Sequence, residues 1–133
     1  MSIMVLNKKT IEKLSNNYII MQEATGSSNL TRYENTLKGL YDLNIRSWNE
    51  RYPNDLINNE EKENFYKLNF NTKEKFNNPC EILKAFQCLK YNIELTEENS
   101  NDKRLLKELD GYINGLTSYI ISNLEEYKKA IWA

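Results

Sequence analysis

An all-α fold, a single small helical bundle of about four helices, follows from three features of the 133-residue sequence. Apolar residues recur at helical spacing in several stretches, capping residues stand where those stretches begin, and no pair of alternating segments is available to build a sheet. The strongest stretch runs from Asn78 to Tyr91. Asn78 suits an N-cap, Pro79 the first helical position, and Glu81 lies where its carboxylate can reach back to the Asn78 N–H in a capping box. Ile82, Phe86, Leu89 and Ile93 form one stripe, and Leu83, Ala85, Cys88 and Tyr91 widen it, so this helix reads as central and mostly buried, reaching about Glu94.

The first helix spans about Lys8 to Ala24, because Ile11, Leu14, Tyr18, Met21 and Thr25 repeat at three and four, and Gly26 is placed to end it. In the second, Thr31 with Glu34 makes another capping box. Tyr33, Leu37, Leu40, Tyr41, Ile45, Trp48 and Tyr52 share its broad apolar face, and Pro53 stops it. The polar run Asn54 to Glu63 reads as a loop or single turn. Tyr66, Leu68 and Phe70 then alternate with polar residues, which suits one extended segment between helices two and three. Asn71 to Asn77 is a polar lead-in to the third helix. After a linker from Thr96 to Asn101, Asp102 can cap a last helix whose inner face carries Leu106, Leu109, Ile113, Leu116, Ile120, Leu124 and Tyr127. Down another side of it runs a flat strip, Gly111, Gly115, Ser118 and Ser122. A glycine inside a helix costs about 1 kcal/mol against alanine, so the strip implies a close approach, either to another helix of this chain or to a second copy in a self-association contact.

Composition excludes more than it assigns. A formal net charge of −1 with 28% charged residues leaves no field of one sign for a polyanion, so direct nucleic-acid binding is not expected. There is no histidine, so a serine or cysteine nucleophile would lack its usual base. The glutamate doublets read as solvated faces, and the four glycines form no phosphate-binding loop. No catalytic group is therefore expected, and no cofactor. Cys80 and Cys88 stand eight residues apart, roughly 12 Å along one helix, too far to bridge and too few for a zinc site. They read as buried reduced thiols. The lysines after Met1 to Leu6 have the wrong order for a signal peptide and no run reaches membrane-spanning length, which points to the cytoplasm.

A polar strip on the second helix is the candidate binding surface. Asn44, Ser47, Trp48 and Arg51 lie on one side at helical spacing, with Tyr52 following, so hydrogen-bonding groups flank an aromatic. Tyr91 and Glu94 join them if the second and third helices adjoin. Asp42 and Arg46 read as an ordinary surface pair.

From Asn44 onward the chain resembles a family of small uncharacterised proteins carried on phages, plasmids and integrated elements of many bacteria. The likeness is carried by Asn44, Ser47, Asn49, Arg51 and Tyr52, by Ile82, Leu83, Lys84, Cys88, Tyr91 and Glu94, and by Leu124, Tyr127, Ala130 and Trp132 at the end. The family often has glutamine after the tyrosine matching Tyr91, and glycine or proline before the one matching Tyr127. Here Asn92 and Glu126 stand instead. What the resemblance implies is genomic company with inhibitors of host defence, anti-CRISPR proteins among them. The expectation is a non-enzymatic inhibitor in the bacterial host cell that binds a protein partner, such as a defence nuclease complex. The alternative is a structural or regulatory homo-oligomer of the mobile element, joined through the small-residue strip.

Overall fold

In the computed structural model, residues 8–26, 28–56, 74–93 and 99–123 are described, without the side chains of residues 8 and 9. They form an all-α fold of five helices: α1 (Lys8–Asn16), α2 (Tyr18–Thr25), α3 (Leu30–Arg51), α4 (Pro79–Tyr91) and α5 (Ser100–Ser122). The alternating segment around Tyr66 to Phe70, Glu94, and the end from Leu124 to Trp132 lie outside the described residues.

The first helix of the sequence reading is two helices, and Asn17 is the reason. Its amide N–H turns to the Leu14 carbonyl at 3.2 Å instead of continuing the α ladder. Its side chain pairs twice with the backbone of Phe76, donating from Nδ2 to the carbonyl at 3.2 Å and accepting from the N–H at Oδ1 at 2.9 Å. Asparagine is a mediocre helix former whose amide competes with main-chain hydrogen bonds. Here the interruption fastens the lead-in of α4 to the α1–α2 junction. Gly26 ends α2 as expected, in the left-handed region at φ 74°, with its N–H on the Gln22 carbonyl.

Three N-terminal readings shift. Asn29, not Thr31, caps α3 and accepts from the Arg32 N–H at 3.0 Å. Asn99, not Asp102, caps α5 and accepts from the Asp102 N–H at 2.9 Å. Asparagine stands among the best N-caps, so in both places the earlier asparagine adds residues to the helix. At α4 the Asn78 side chain accepts from the Cys80 and Glu81 N–H groups as expected, but Glu81 reaches one residue further back, to the Asn77 N–H at 2.9 Å.

The helix that organises the fold is α5, which packs against α2, α3 and α4. α4 is amphipathic instead of central: Cys80, Ile82, Ala85, Phe86 and Leu89 face inward, whereas Cys88 and Tyr91 are exposed, and the helix ends at Tyr91, short of Glu94. Both cysteines are free thiols, and only Cys80 is buried. Leu37, Leu40, Tyr41 and Leu43 of α3 join Ile11, Leu14, Phe86, Leu105, Leu109 and Leu116 in the common core. α3 and α5 approach closely at Gly39, where an added Cβ would stand 2.7 Å from Leu105 Cδ2. The same two helices are tied by Arg46, whose Nη2 donates to the buried Asp102 carboxylate at 2.6 Å. The Asp42 contact of Arg46 is the longer one at 3.9 Å, so Arg46 belongs to an interhelical pair before it belongs to a surface pair. Among the described residues no helix is long and apolar enough to cross a membrane.

Candidate functional site

The polar strip on α3 divides into an inner and an outer part. Asn44 and Ser47 are buried, at 1% exposure each. Asn44 Nδ2 donates to the Leu40 carbonyl at 2.8 Å, a bond back along its own helix. These two residues serve the interior and present nothing to a partner, which corrects the sequence reading of them as contact residues. Spacing places them on one side of the helix but does not say whether that side is covered. Trp48 is buried too, and its Nε1 donates to the Asp55 carbonyl at 2.8 Å, folding the chain after α3 back on the helix.

The outer part lies where α3 ends. Arg51 is half-buried and spans two helix ends, with Nε on the Ser47 carbonyl at 3.4 Å and Nη2 on the Asn92 carbonyl at 3.1 Å. A cation that collects C-terminal carbonyls offsets the partial negative charge there. Its guanidinium also stands 5.6 Å from the Tyr52 ring centroid. Tyr52 leans on Trp48 with centroids 4.4 Å apart yet remains 41% exposed. Tyr91, next in chain to Asn92, is 72% exposed, and Leu56 is exposed as well. The condition for adding Tyr91 to the strip, that the ends of α3 and α4 adjoin, is met by the Arg51 bond to the Asn92 carbonyl, and Tyr52 and Tyr91 are both exposed. Glu94 lies outside the described residues.

The small-residue strip divides as well. At Gly115 an added Cβ would stand 3.0 Å from the Ala24 carbonyl oxygen and 3.2 Å from Thr25 Cγ2, so this glycine lets α2 lie against α5. Tyr119 continues the junction, donating to Glu23 at 2.8 Å. Ser118 and Ser122 are exposed, with exposed Ile121 between them. At Gly111, by contrast, an added Cβ would meet nothing within 4 Å.

Gly111 opens on a cleft of about 370 Å³ between α2, the start of α3 and the middle of α5. From α5 it is lined by Glu108, Gly111, Tyr112 and Gly115, one stripe at helical spacing. Tyr18 and Met21 come from α2, Arg32 and Tyr33 from α3. The tyrosines are in edge and tilted contact, Tyr18 to Tyr33 at 6.1 Å and Tyr33 to Tyr112 at 5.6 Å. Tyr33 is buried and donates to the Leu14 carbonyl at 2.6 Å. Burial, helped by the neighbouring Tyr112, pushes its phenol well above the ordinary value. Burial likewise raises Tyr112, against a hydrogen bond with Thr36.

Glu108 anchors the polar end. Arg32 donates to its Oε1 from Nε at 3.0 Å and from Nη2 at 2.7 Å, Arg104 Nη1 adds a third bond at 3.1 Å, and the Thr36 hydroxyl donates to Oε2. Burial would raise this carboxyl, but the bonds from Thr36 and Arg32 and the charges of Arg32 and Arg104 outweigh it and hold it below its ordinary value. Sequence reading missed this cluster. Arg104 and Glu108 sit four apart and could have been paired on one helix, whereas Arg32 is 76 residues away and carries no local signal.

Among the described residues no group of three or more histidine, cysteine, aspartate or glutamate side chains could hold a metal ion. No family model, curated protein or solved structure matches this chain.

Proposed function

We propose that this chain is a non-enzymatic protein-binding inhibitor of a phage or other mobile element, and that it blocks a bacterial defence effector such as a CRISPR–Cas nuclease complex. The genomic company comes from the resemblance of Asn44 to Trp132 to the mobile-element family. The observation that carries the binding surface is the bond from Arg51 to the Asn92 carbonyl, which joins the ends of α3 and α4 where Tyr52 and Tyr91 are exposed. Tyrosine supplies a large rigid contact area with a polar tip, and tyrosine and arginine are enriched among the residues that dominate binding energy. Arg51 contributes mainly by fixing the two helix ends, and Tyr52 and Tyr91 supply the contact.

The test is affinity capture with tagged protein from lysate of a low-GC bacterium carrying active CRISPR and restriction systems. A defence nuclease recovered in stoichiometric amount from the wild type, and lost with the Tyr52→Ser, Tyr91→Ser variant, supports the reading. Undiminished capture by the variant sinks this surface, and recovery of the bait alone sinks the inhibitor.

A second reading, a homo-oligomer, is favoured by one observation: Ser118, Ile121 and Ser122 are exposed on α5 beyond the part of the strip that α2 covers. A single-subunit mass by light scattering at micromolar concentration removes it.

A further inference from the structure

We infer that the cleft between α2, α3 and α5 is a binding site for a small aromatic carboxylate. Its volume of about 370 Å³ falls in the range of roughly 300–1,000 Å³ typical of small-molecule sites. The walls are those of an aromatic host, with Tyr18 and Tyr112 half-buried at the cleft and Met21 beneath. Gly111 supplies the room. Gly39 and Gly115 each let another part of the fold come within about 3 Å of where a Cβ would be, which explains their cost to their helices. Gly111 carries the same cost with no neighbour to accommodate among the described residues, and the space it leaves belongs to the cleft.

The charge of the ligand follows from counting donors and acceptors. Both Glu108 oxygens are occupied, Oε1 by Arg32 and Arg104 and Oε2 by Thr36, so the carboxylate has little left for a cationic ligand. Arg32 binds Glu108 through Nε and Nη2 only, and its side chain is 63% exposed, which leaves Nη1 to donate. Arg32 and Glu108 are the two charged side chains of the cleft lining, and with the Glu108 oxygens already taken up, the Arg32 guanidinium is the charged group left to meet a ligand. A carboxylate on Arg32 with its ring over Gly111, between Tyr18 and Tyr112, uses each of these features. The site is separate from the Tyr52 and Tyr91 surface, and it stands or falls without any protein partner.

The experiment is a ¹H–¹⁵N NMR titration of the full chain with 4-hydroxyphenylacetate, and with tyramine as a probe of similar ring and opposite charge. The expected result is saturable shifts at Gly111, Gly115 and Tyr112 with the acid and none with the amine. Gly111→Leu fills the cleft and abolishes those shifts while its thermal midpoint stays at or above that of the wild type. Arg32→Gln weakens binding about tenfold, as loss of a charge-assisted hydrogen bond does. Arg104→Gln, which removes a positive charge from the same carboxylate outside the cleft lining, leaves affinity within about twofold of wild type, a change of under half a kcal/mol. No saturable shift with the acid at millimolar concentration, equal binding of tyramine, or unchanged binding by a folded Gly111→Leu variant would each overturn the assignment.

Discussion

Helix α3 carries an arginine and tyrosines at both ends, and the two ends use them in opposite ways. Arg51 and Arg32 are nineteen positions apart, roughly 28 Å along the axis. At the Arg51 end the guanidinium collects main-chain carbonyls, and the neighbouring aromatics, Tyr52 and Tyr91, remain outside. At the Arg32 end the guanidinium clamps a carboxylate, and Tyr18, Tyr33 and Tyr112 turn toward a cavity. An exposed aromatic edge suits a large partner, and a concave aromatic wall suits a small one. The same residue types thus build two kinds of surface, and what separates them is the company they keep from distant parts of the chain.

The difference can be broken most severely at Trp48, which supports the Arg51 end from beneath. It is 2% exposed, carries the Tyr52 ring and holds Asp55 through its indole N–H. Trp48→Ala is expected to cost about 3–5 kcal/mol in urea unfolding, the usual range for emptying a large buried aromatic site. It should also abolish partner capture, while native-state NMR shifts at Gly111 and Tyr112 stay near their wild-type positions. A loss under about 1 kcal/mol would mean that the Arg51 end is only loosely attached to the core.

The next effect separates the two ends by pH. The folded protein holds the Glu108 carboxyl below its ordinary value of 4.5, so its contribution to stability is fully present above that value. The contribution is lost as pH falls through the depressed folded value. Acid should therefore loosen the Arg32 end first through Glu108, whereas the Asn92 carbonyl that Arg51 binds does not titrate. Glu108→Gln is expected to cost about 1–2 kcal/mol at neutral pH, since charge-assisted bonds from two arginines become ordinary ones. It should also remove that share of the acid loss in a series of urea melts. An acid limb identical in variant and wild type would show that other carboxylates set it.

How far the sequence was legible depends on whether the deciding partner was local. The Asn78–Pro79 start of α4, the Gly26 stop and the Pro53 stop were readable because each depends on residues within one helical turn. Asn17 was not, because what breaks the helix there is a pairing with Phe76 across 59 residues. The polar strip was legible as spacing along α3, but burial of Asn44 and Ser47 depends on what packs over that helix. The Gly111–Ser122 strip was likewise visible as spacing, whereas its division into a packed glycine and an open one is a tertiary fact. Of the Glu108 cluster only the Arg104 spacing was local, whereas the pairing with Arg32 across 76 residues had no local trace, and neither did the cleft.

That division of the glycines gives the smallest effect and the sharpest comparison. Gly111 and Gly115 sit four apart on α5, in the same helix and with the same intrinsic cost. If only helix propensity acted, alanine at either would stabilise by about 1 kcal/mol. At Gly111 an added methyl meets nothing within 4 Å, so Gly111→Ala should realise that gain. At Gly115 it would stand 3.0 Å from the Ala24 carbonyl oxygen, which is main chain and cannot swing aside as the end of a long side chain can. Separating α2 from α5 there should offset the propensity gain and leave Gly115→Ala less stable than wild type by about 1 kcal/mol, the lower end of overpacking costs. Chemical denaturation of the two variants side by side reads the difference directly. Equal gains at both positions would mean that α2 yields freely at Ala24, and that the wall between the cleft and the α2–α5 junction is softer than its contacts imply.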